Sequence, residues 1–188
     1  MSMDNTQLIW REEGRKQVFQ CRVFSVRETY CRSPDNQAKT FTVMDAPDWA
    51  IVVPVLETEQ GRVFVMVRQW RHGAGELSLE FPGGVFERGE EPAVAAAREL
   101  LEETAFRAGT VTPLGVCSPN PAIMANHVHF FMAEHLEDMG KQHLDEDEYV
   151  RMELIPEREV LQGMGRPPYI HALMGTALAL YQRFVTSR

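Results

Sequence analysis

The chain has 188 residues, of which 44% are hydrophobic and 24% are charged, and its formal net charge is −8. This length and balance fit one globular domain, or one domain with a small appendage. The acidic charge and the scattered Lys and Arg residues argue against a nucleic-acid-binding protein, because phosphate-backbone surfaces normally carry a basic stripe. A small phosphate ligand still fits if a few arginines or metal ions line a cleft.

The cysteines indicate reduced thiols. Cys21, Cys31 and Cys117 have neither the even count of a disulfide framework nor the spacing of a zinc site. The apolar run WAIVVPVL (49–56) is too short to span a bilayer. The N-terminal residues lack the basic and apolar regions of a signal peptide. We therefore expect a cytoplasmic protein without a membrane partner.

The first part of the chain predicts a small β region. Short β segments span residues 18–43 and are separated by the polar turn SPDNQAK (33–39), whose Pro, Asp and Asn favour chain reversal. The stretch DAPDW (45–49) predicts a junction. The expected division is therefore residues 1–46 as an N-terminal β region and residues 47–188 as the main domain.

The main domain mixes strands and helices. The near-continuous apolar run AIVVPVL (50–56) is typical of a strand covered on both faces. A helix is expected from Pro92, which suits a first helical position, with Pro113 beyond its end. Further strands are predicted at 62–70, 77–81 and 127–135, and a closing helix at 169–185. The fold class is therefore α/β.

Three glutamates crowd onto the helix that begins at Pro92. At about 100° per residue, Glu99, Glu102 and Glu103 fall in one sector roughly 100° wide. Val94, Ala97 and Leu101 fall on the opposite side, which predicts that this apolar stripe packs on the core. Like charges at these spacings repel. A solvated acidic face is one interpretation of the cluster.

A metal site is the other interpretation of the cluster. The helix follows the tight turn FPGG (81–84) and a further acidic group, Glu87, Glu90 and Glu91. Carboxylate and carbonyl oxygens are the ligands that Mg²⁺ and Mn²⁺ prefer. Metal ions would neutralise the repulsion, and a backbone carbonyl near Gly83 could complete the site.

The spacing of these residues resembles the signature of the Nudix hydrolases. The matching positions are Gly84, Glu90 after five residues, and, after seven more, Arg98, Glu99, Leu100, Glu102, Glu103 and Phe106. The family has glycine where this chain has Ala105, so we expect an altered turn at the helix end but no lost ligand. The resemblance implies an α/β/α sandwich with a mixed sheet, preceded here by the small N-terminal β region.

The resemblance also implies roles for these residues. Glu99 and Glu103 would bind Mg²⁺ or Mn²⁺, Glu102 would bridge or assist, and the Gly83 carbonyl would be a further ligand. Arg98 would orient the glutamates and Glu90 would support Arg98.

Features outside the signature resemble the ADP-ribose pyrophosphatase group of the family. In that group an N-terminal β extension helps to form a homodimer and the second Arg of a segment like VRQWR (67–71) contacts the diphosphate, which points to Arg71. A group-specific proline corresponds to Pro121 by spacing or to Pro119 by context. The resemblance implies a homodimer whose N-terminal β region contributes substrate contacts.

Four further residues are candidates for the site. In the group that it resembles, a loop glutamate activates the attacking water, which corresponds to Glu148, with Glu146 in reserve. Trp49 could stack on adenine or belong to the core. Glu80 is either a substrate-site carboxylate or an ordinary polar residue of its strand.

The expected function is a metal-dependent pyrophosphohydrolase. It would cleave the diphosphate of ADP-ribose, or of a similar nucleoside diphosphate sugar, to AMP and a sugar phosphate. The alternatives are hydrolysis of GDP-mannose or another nucleotide sugar, and a non-catalytic Nudix domain that senses ADP-ribose.

Overall fold

The computed structural model describes residues 5–146 and 148–188. Contacts within the chain divide it into two compact units. One consists of Met1–Pro47 and Ser118–His127, and the other of Asp48–Cys117 and Val128–Arg188. The segment 118–127 thus groups with the first unit, while the functional division after residue 46 stays a prediction.

The first unit is a three-stranded antiparallel sheet. After a short 3₁₀ helix, Thr6–Leu8, the strands are β1 (Arg11–Gln20), β2 (Ser25–Arg32) and β3 (Ala38–Asp45), in the order β1-β2-β3. The predicted turn before β3 is closed by the Gln37 N–H, which donates to the Ser33 hydroxyl at 2.9 Å, and Asn36 takes a positive φ of 68°.

This sheet leaves most of its side chains exposed. None of the ten residues of β1 is buried, and Thr29 is the single fully buried residue of the three strands as described. Trp10 and Phe41 contact each other edge to face at 5.0 Å between ring centroids, and both remain exposed, as does Phe19. A sheet with so little cover exposes apolar surface that soluble monomers normally bury.

The second unit contains a six-stranded mixed sheet. Its strands are β4 (Trp49–Thr58), β5 (Gly61–Arg71), β6 (Glu76–Glu80), β7 (Phe106–Cys117), β8 (Val128–Asp138) and β9 (Arg151–Pro156). Their order is β6-β5-β4-β8-β7, with β9 paired to β5. The β4–β8 pair is parallel, whereas the other pairs are antiparallel.

Helices cover both faces of this sheet. Helix α1 (Pro92–Thr104) packs on the face that carries Ala50, Val52 and Val65. Helices α2 (Glu157–Gly163) and α3 (Ala172–Thr186) pack on the opposite face. Both faces of β4 are therefore buried, as its apolar run predicts.

The predicted fold class is confirmed, since the chain forms a mixed α/β sandwich preceded by a small β sheet. The structure adds β7 and α2 to the expected elements, β9 follows the β pattern that resumes near Val150, and β1 begins at Arg11, before the expected start at residue 18. Among the described residues, no helix is long and apolar enough to cross a membrane.

Candidate active site

The turn after β6 is built from two glycines that leave no space for a side chain. A Cβ on Gly83 would lie 2.1 Å from the Ala50 carbonyl oxygen, and one on Gly84 would lie 2.5 Å from the Glu99 carboxylate. The Ala50 N–H donates to the Gly84 carbonyl at 2.9 Å. The glycines therefore let the backbone approach β4 on one side and the helix glutamates on the other.

Helix α1 begins and ends as its sequence predicts, with one difference. Pro92 occupies its first turn. Ala105 terminates the helix in the left-handed conformation, with φ 63°, and its N–H donates to the Leu101 carbonyl at 2.9 Å. The turn thus has the conformation that glycine usually adopts there, so the expected alteration of this turn is wrong.

The buried face of α1 is not the apolar stripe predicted from the helical wheel. Val94 is 58% exposed, whereas Ala95, Ala96 and Leu100 are fully buried. Glu99 and Glu103 lie at the edge of this buried face, 9% and 4% exposed. The prediction is wrong because the small alanines, and not the larger Val94, allow the helix to lie close to the sheet. Two of the clustered carboxylates are consequently buried.

Glu103 lies against the glycine turn. Its carboxylate accepts a hydrogen bond from the Gly83 N–H at 2.9 Å. Burial raises the pKa of Glu103 to about 8; the Gly83 N–H opposes this, while the charges of Glu99 and Glu148 add to it. Burial likewise raises the pKa of Glu99, despite its contact with Arg98. For both carboxylates, the cost of burial outweighs the nearby positive charge and hydrogen-bond donors.

Arg98 connects the other acidic side chains of the cluster. Its guanidinium donates to both oxygens of Glu90, at 2.9 and 3.0 Å. Its Nη1 donates to Glu99 at 2.8 Å and to Glu102 at 2.9 Å. This geometry suits the predicted roles, in which Glu90 holds Arg98 and Arg98 orients the glutamates.

A second ion pair closes the other side of the site. Arg71, the last residue of β5, donates from Nε and Nη2 to Glu80 at 2.9 and 2.6 Å. Glu80 is 1% exposed, so its carboxylate faces Arg71 and not the solvent. The Arg71 charge also acts on the pKa of Glu103, which places the two residues in one electrostatic neighbourhood. A cavity of about 530 Å³ opens at this pair.

The two candidate bases differ in their environment. The charge of Glu148 contributes to the raised pKa values of both Glu99 and Glu103, so its carboxylate acts on the cluster. Glu146 and Glu148 are both exposed in this loop, so exposure does not distinguish them. Glu148 also lines a groove of about 470 Å³ together with Arg68 and Tyr149. These contacts favour Glu148 as the candidate.

Trp49 is the first residue of β4. It forms an isolated bridge with Val85 and packs against the core cluster on the α3 side of the sheet. The ring is half-buried. Its stacking on adenine stays a prediction.

Three contacts that the sequence did not indicate fix the C-terminal end of α1. The backbone N–H groups of His143 and Met139 donate to the carbonyls of Glu102 and Ala105, at 2.9 and 2.8 Å. The Gln142 side chain donates to the Glu103 carbonyl. The partners lie between 34 and 41 residues apart in the chain, so no local pattern could reveal these contacts.

The donor set fits a hard divalent cation. Glu99, Glu102, Glu103 and the Gly83 carbonyl offer oxygen atoms, and burial raises the pKa of Glu99 and Glu103 so that added positive charge would favour their ionised forms. Within residues 5–146 and 148–188, no group of three His, Cys, Asp or Glu side chains is already arranged around a metal position. In this arrangement Arg98 donates to Glu99 and Glu102, and the Gly83 N–H donates to Glu103.

The NUDIX domain family matches residues 46–174. This span covers more than half of the chain and includes the glycine turn, α1 and Glu148. The chain belongs to the Nudix family.

This Nudix chain has relatives of several activities. It is 32% identical over 140 residues to the ADP-ribose pyrophosphatase of Bacillus subtilis (strain 168), covering 74% of each chain. It is 29% identical over 148 residues to the methanol dehydrogenase activator of Bacillus methanolicus, covering 78% of each. A crystal structure of an ADP compounds hydrolase superposes with a TM-score of 0.82 over 95% of each chain, at 22% identity, which shows the shared fold.

The predicted family and enzyme class are confirmed: the chain is a Nudix hydrolase of the ADP-ribose pyrophosphatase type. The individual roles of the candidate site residues stay predictions; these residues are Trp49, Arg71, Glu80, Gly83, Glu90, Arg98, Glu99, Glu102, Glu103, Glu146 and Glu148.

Proposed function

We propose that this Nudix hydrolase cleaves the diphosphate of ADP-ribose, or of a similar nucleoside diphosphate sugar, to AMP and a sugar phosphate. The observation that carries the proposal is the pair of buried carboxylates, Glu99 and Glu103, placed against the Gly83–Gly84 turn within the family signature. The resemblance to an ADP-ribose pyrophosphatase over 140 residues supports an adenine diphosphate sugar as substrate.

The proposed activity requires Mg²⁺ or Mn²⁺. Glu99, Glu102, Glu103 and the Gly83 carbonyl would hold it. When bound, the cation supplies positive charge that offsets both the buried glutamates and the diphosphate. Without it, the pKa of about 8 at Glu103 favours the protonated carboxyl at neutral pH.

The protein's own residues would position the reactants. Arg71 presents the guanidinium edge that Glu80 leaves free and binds diphosphate oxygens. Glu148 accepts a proton from the attacking water as the water oxygen bonds to phosphorus. The bond from that phosphorus to the bridging oxygen breaks, and the sugar phosphate and AMP separate.

Replacing Glu103 by Gln tests the site. The variant retains an acceptor for the Gly83 N–H but loses the charge, so turnover should fall by about 100-fold or more. The unfolding temperature of the metal-free protein should not fall, because the uncharged Gln has the size of the protonated Glu and keeps the acceptor for the Gly83 N–H. The measurement is AMP release from ADP-ribose with Mg²⁺. The control is Glu87→Gln on the exposed surface before α1, which should act like the wild type. Equal turnover in Glu103→Gln and wild type would reject this assignment.

A substrate panel separates the remaining alternatives. The wild type would receive ADP-ribose, ADP-glucose and GDP-mannose, with Mg²⁺ and separately with Mn²⁺. We expect AMP from ADP-ribose. Preferential cleavage of GDP-mannose would move the substrate to another nucleotide sugar. Calorimetric binding of ADP-ribose without AMP formation would instead indicate a sensor.

We further propose a homodimer formed through the N-terminal sheet. The sheet exposes Trp10, Phe19 and Phe41 on strands or strand ends that the described chain leaves almost uncovered. A second copy of the same chain would bury these side chains, and apolar burial of this kind stabilises association. The resemblance to the ADP-ribose pyrophosphatase group supports the same arrangement.

A further inference from the structure

The cavity at the Arg71–Glu80 pair extends beyond Arg71 to residues that the proposed chemistry does not use. It is about 530 Å³ in volume and lies between the β5–β6 turn and the segment that enters α3. Trp70, Arg71, Ser78, Glu80 and His171 line it. The volume is within the range of small-molecule sites in proteins.

Arg71 presents donors to this cavity. A guanidinium has five N–H donors, and Glu80 accepts two of them. The side chain of Arg71 is 41% exposed although its partner Glu80 is buried. Glu80 thus fixes the plane of the guanidinium, and the outer edge of Arg71 remains available to an anionic oxygen.

His171, which lines the same cavity, supplies a second hydrogen-bond donor. Its Nδ1 caps α3 by accepting the Leu173 N–H at 3.1 Å. Burial lowers the pKa of His171, so the ring is neutral at neutral pH. The cap occupies the acceptor nitrogen, so the proton of the neutral ring sits on Nε2. His171 is therefore a neutral hydrogen-bond donor.

Two further groups complete the wall. Ser78 is fully buried; its hydroxyl makes no hydrogen bond of normal geometry, yet it lies near enough to help lower the pKa of Glu80. Trp70 is half-exposed and offers an indole surface. Ser78 therefore supports Glu80 from behind, and the groups open to a ligand are the anion-binding edge of Arg71, the His171 donor and the indole of Trp70.

We propose that this cavity binds a sugar phosphate portion of the substrate, with the phosphate at Arg71, the sugar ring on Trp70 and a sugar hydroxyl at His171. The inference rests on the proposed pyrophosphatase function. A purine held here would present its flat apolar faces to an ion pair, whereas sugar hydroxyls both donate and accept. The sugar is either the terminal sugar or the ribose of AMP. In both cases His171 is a specificity-determining residue.

Calorimetry with the two product halves tests this cavity directly. Ribose 5-phosphate and AMP would each be titrated at millimolar concentration into wild type, His171→Asn and Trp70→Ala. Asn retains an N-cap acceptor but lacks the reach of Nε2. We expect about tenfold weaker binding of one of the two compounds to His171→Asn, the loss of roughly one hydrogen bond. The compound whose affinity falls in His171→Asn identifies which sugar occupies the cavity.

The control is a His→Asn substitution at a position remote from the cavity. His135→Asn lies on β8, two strands from β5 in the sheet order, and should bind both compounds like the wild type. If His171→Asn loses its fold, Trp70→Ala carries the test, because that side chain is half-exposed. The inference is overturned if neither compound binds the wild type, or if both variants bind both compounds as the wild type does.

Kinetics separate this inference from the proposed function. If His171→Asn raises the KM for ADP-ribose about tenfold, the result supports both the pyrophosphatase activity and the sugar phosphate site in the cavity. A wild type that binds ribose 5-phosphate through His171 but releases no AMP from ADP-ribose would reject the activity and keep the cavity. An active wild type whose KM is the same in His171→Asn would reject the cavity alone.

Discussion

Ala105 shows how one residue can retain a turn at an energetic cost. Its φ of 63° lies in the left-handed region, where a side chain costs about 1 kcal/mol or more relative to glycine. The hydrogen bond from its N–H to Leu101 and the contacts of its buried methyl group offset part of this cost. The chain keeps the geometry of the family turn without the family residue.

Replacing Ala105 by Gly should therefore stabilise the protein. We expect the free energy of unfolding to rise by about 0.5–1 kcal/mol, since relief of the strained φ exceeds the loss of one methyl contact. Urea denaturation of both proteins measures the difference. The matched control is Ala95→Gly inside α1, where the same change should lower stability by about 1 kcal/mol or more. A less stable Ala105→Gly protein would contradict the argument.

At the scale of elements, one ion network joins β5 to β9. Arg68 and Arg151 lie directly opposite each other in this strand pair, an unfavourable arrangement of like charges. Glu153 accepts from Arg68 at 2.7 and 2.9 Å and also from Arg151. Its carboxylate thus compensates both arginines at the strand that follows the Glu148 loop.

This network predicts a pH dependence of stability. Arg68 above all, and then Arg151, lowers the pKa of Glu153 from 4.5 to about 2. For an acid with a depressed pKa, the stabilisation is complete above the unfolded value and disappears as the pH falls through the folded value. Glu153→Gln should therefore cost about 1–2 kcal/mol near pH 7, after allowance for solvent screening.

The difference in unfolding free energy between wild type and Glu153→Gln should stay constant from about pH 7 to pH 5 and shrink between about pH 4.5 and pH 2. Denaturation at several pH values measures it. Glu137→Gln, which breaks an exposed pair with Arg107, is the control and should have little effect at any pH. A difference that grows as the pH falls would refute this account of the network.

At the scale of the whole molecule, the exposed N-terminal sheet determines the expected oligomer. Light scattering should give twice the chain mass of 21.4 kDa for the wild type. Phe41→Arg places a charge in the proposed interface and should shift the mass towards one chain, because a buried unpaired charge opposes association. Val116→Arg, on exposed β7 of the second unit, is the control and should leave the mass unchanged. A wild type of single-chain mass would refute the dimer.

The sequence predicted the features that local patterns encode. The apolar run of β4, the turn before α1 and the helix start at Pro92 all follow from short-range rules. Strand β7 was not predicted because it contains Gly109, Pro113 and Gly115, and glycine and proline are disfavoured in strands. Helix α2 was not predicted because its seven residues are too few to show a helical period of hydrophobic residues.

For the candidate site, too, the sequence predicted the features that are local in the chain and missed those that depend on the tertiary fold. The glutamates and Arg98 lie within one helix and one motif, so their spacing was visible. Their burial was not, because it depends on which face of α1 meets the sheet. His171 joins Glu80 and Arg71 across about ninety residues, and only the tertiary fold brings them together.

The three contacts that fix the end of α1 also limit how far the loop glutamate can travel. His143 is tethered to Glu102, and only five residues of chain lead from His143 to Glu148. A fully extended segment of that length reaches roughly 17 Å. The loop that carries Glu148 is therefore short and is attached to the helix that bears Glu99, Glu102 and Glu103. A movement of α1 would move the start of this loop with it. The proposed base, Glu148, and the proposed metal ligands on α1 would therefore move together.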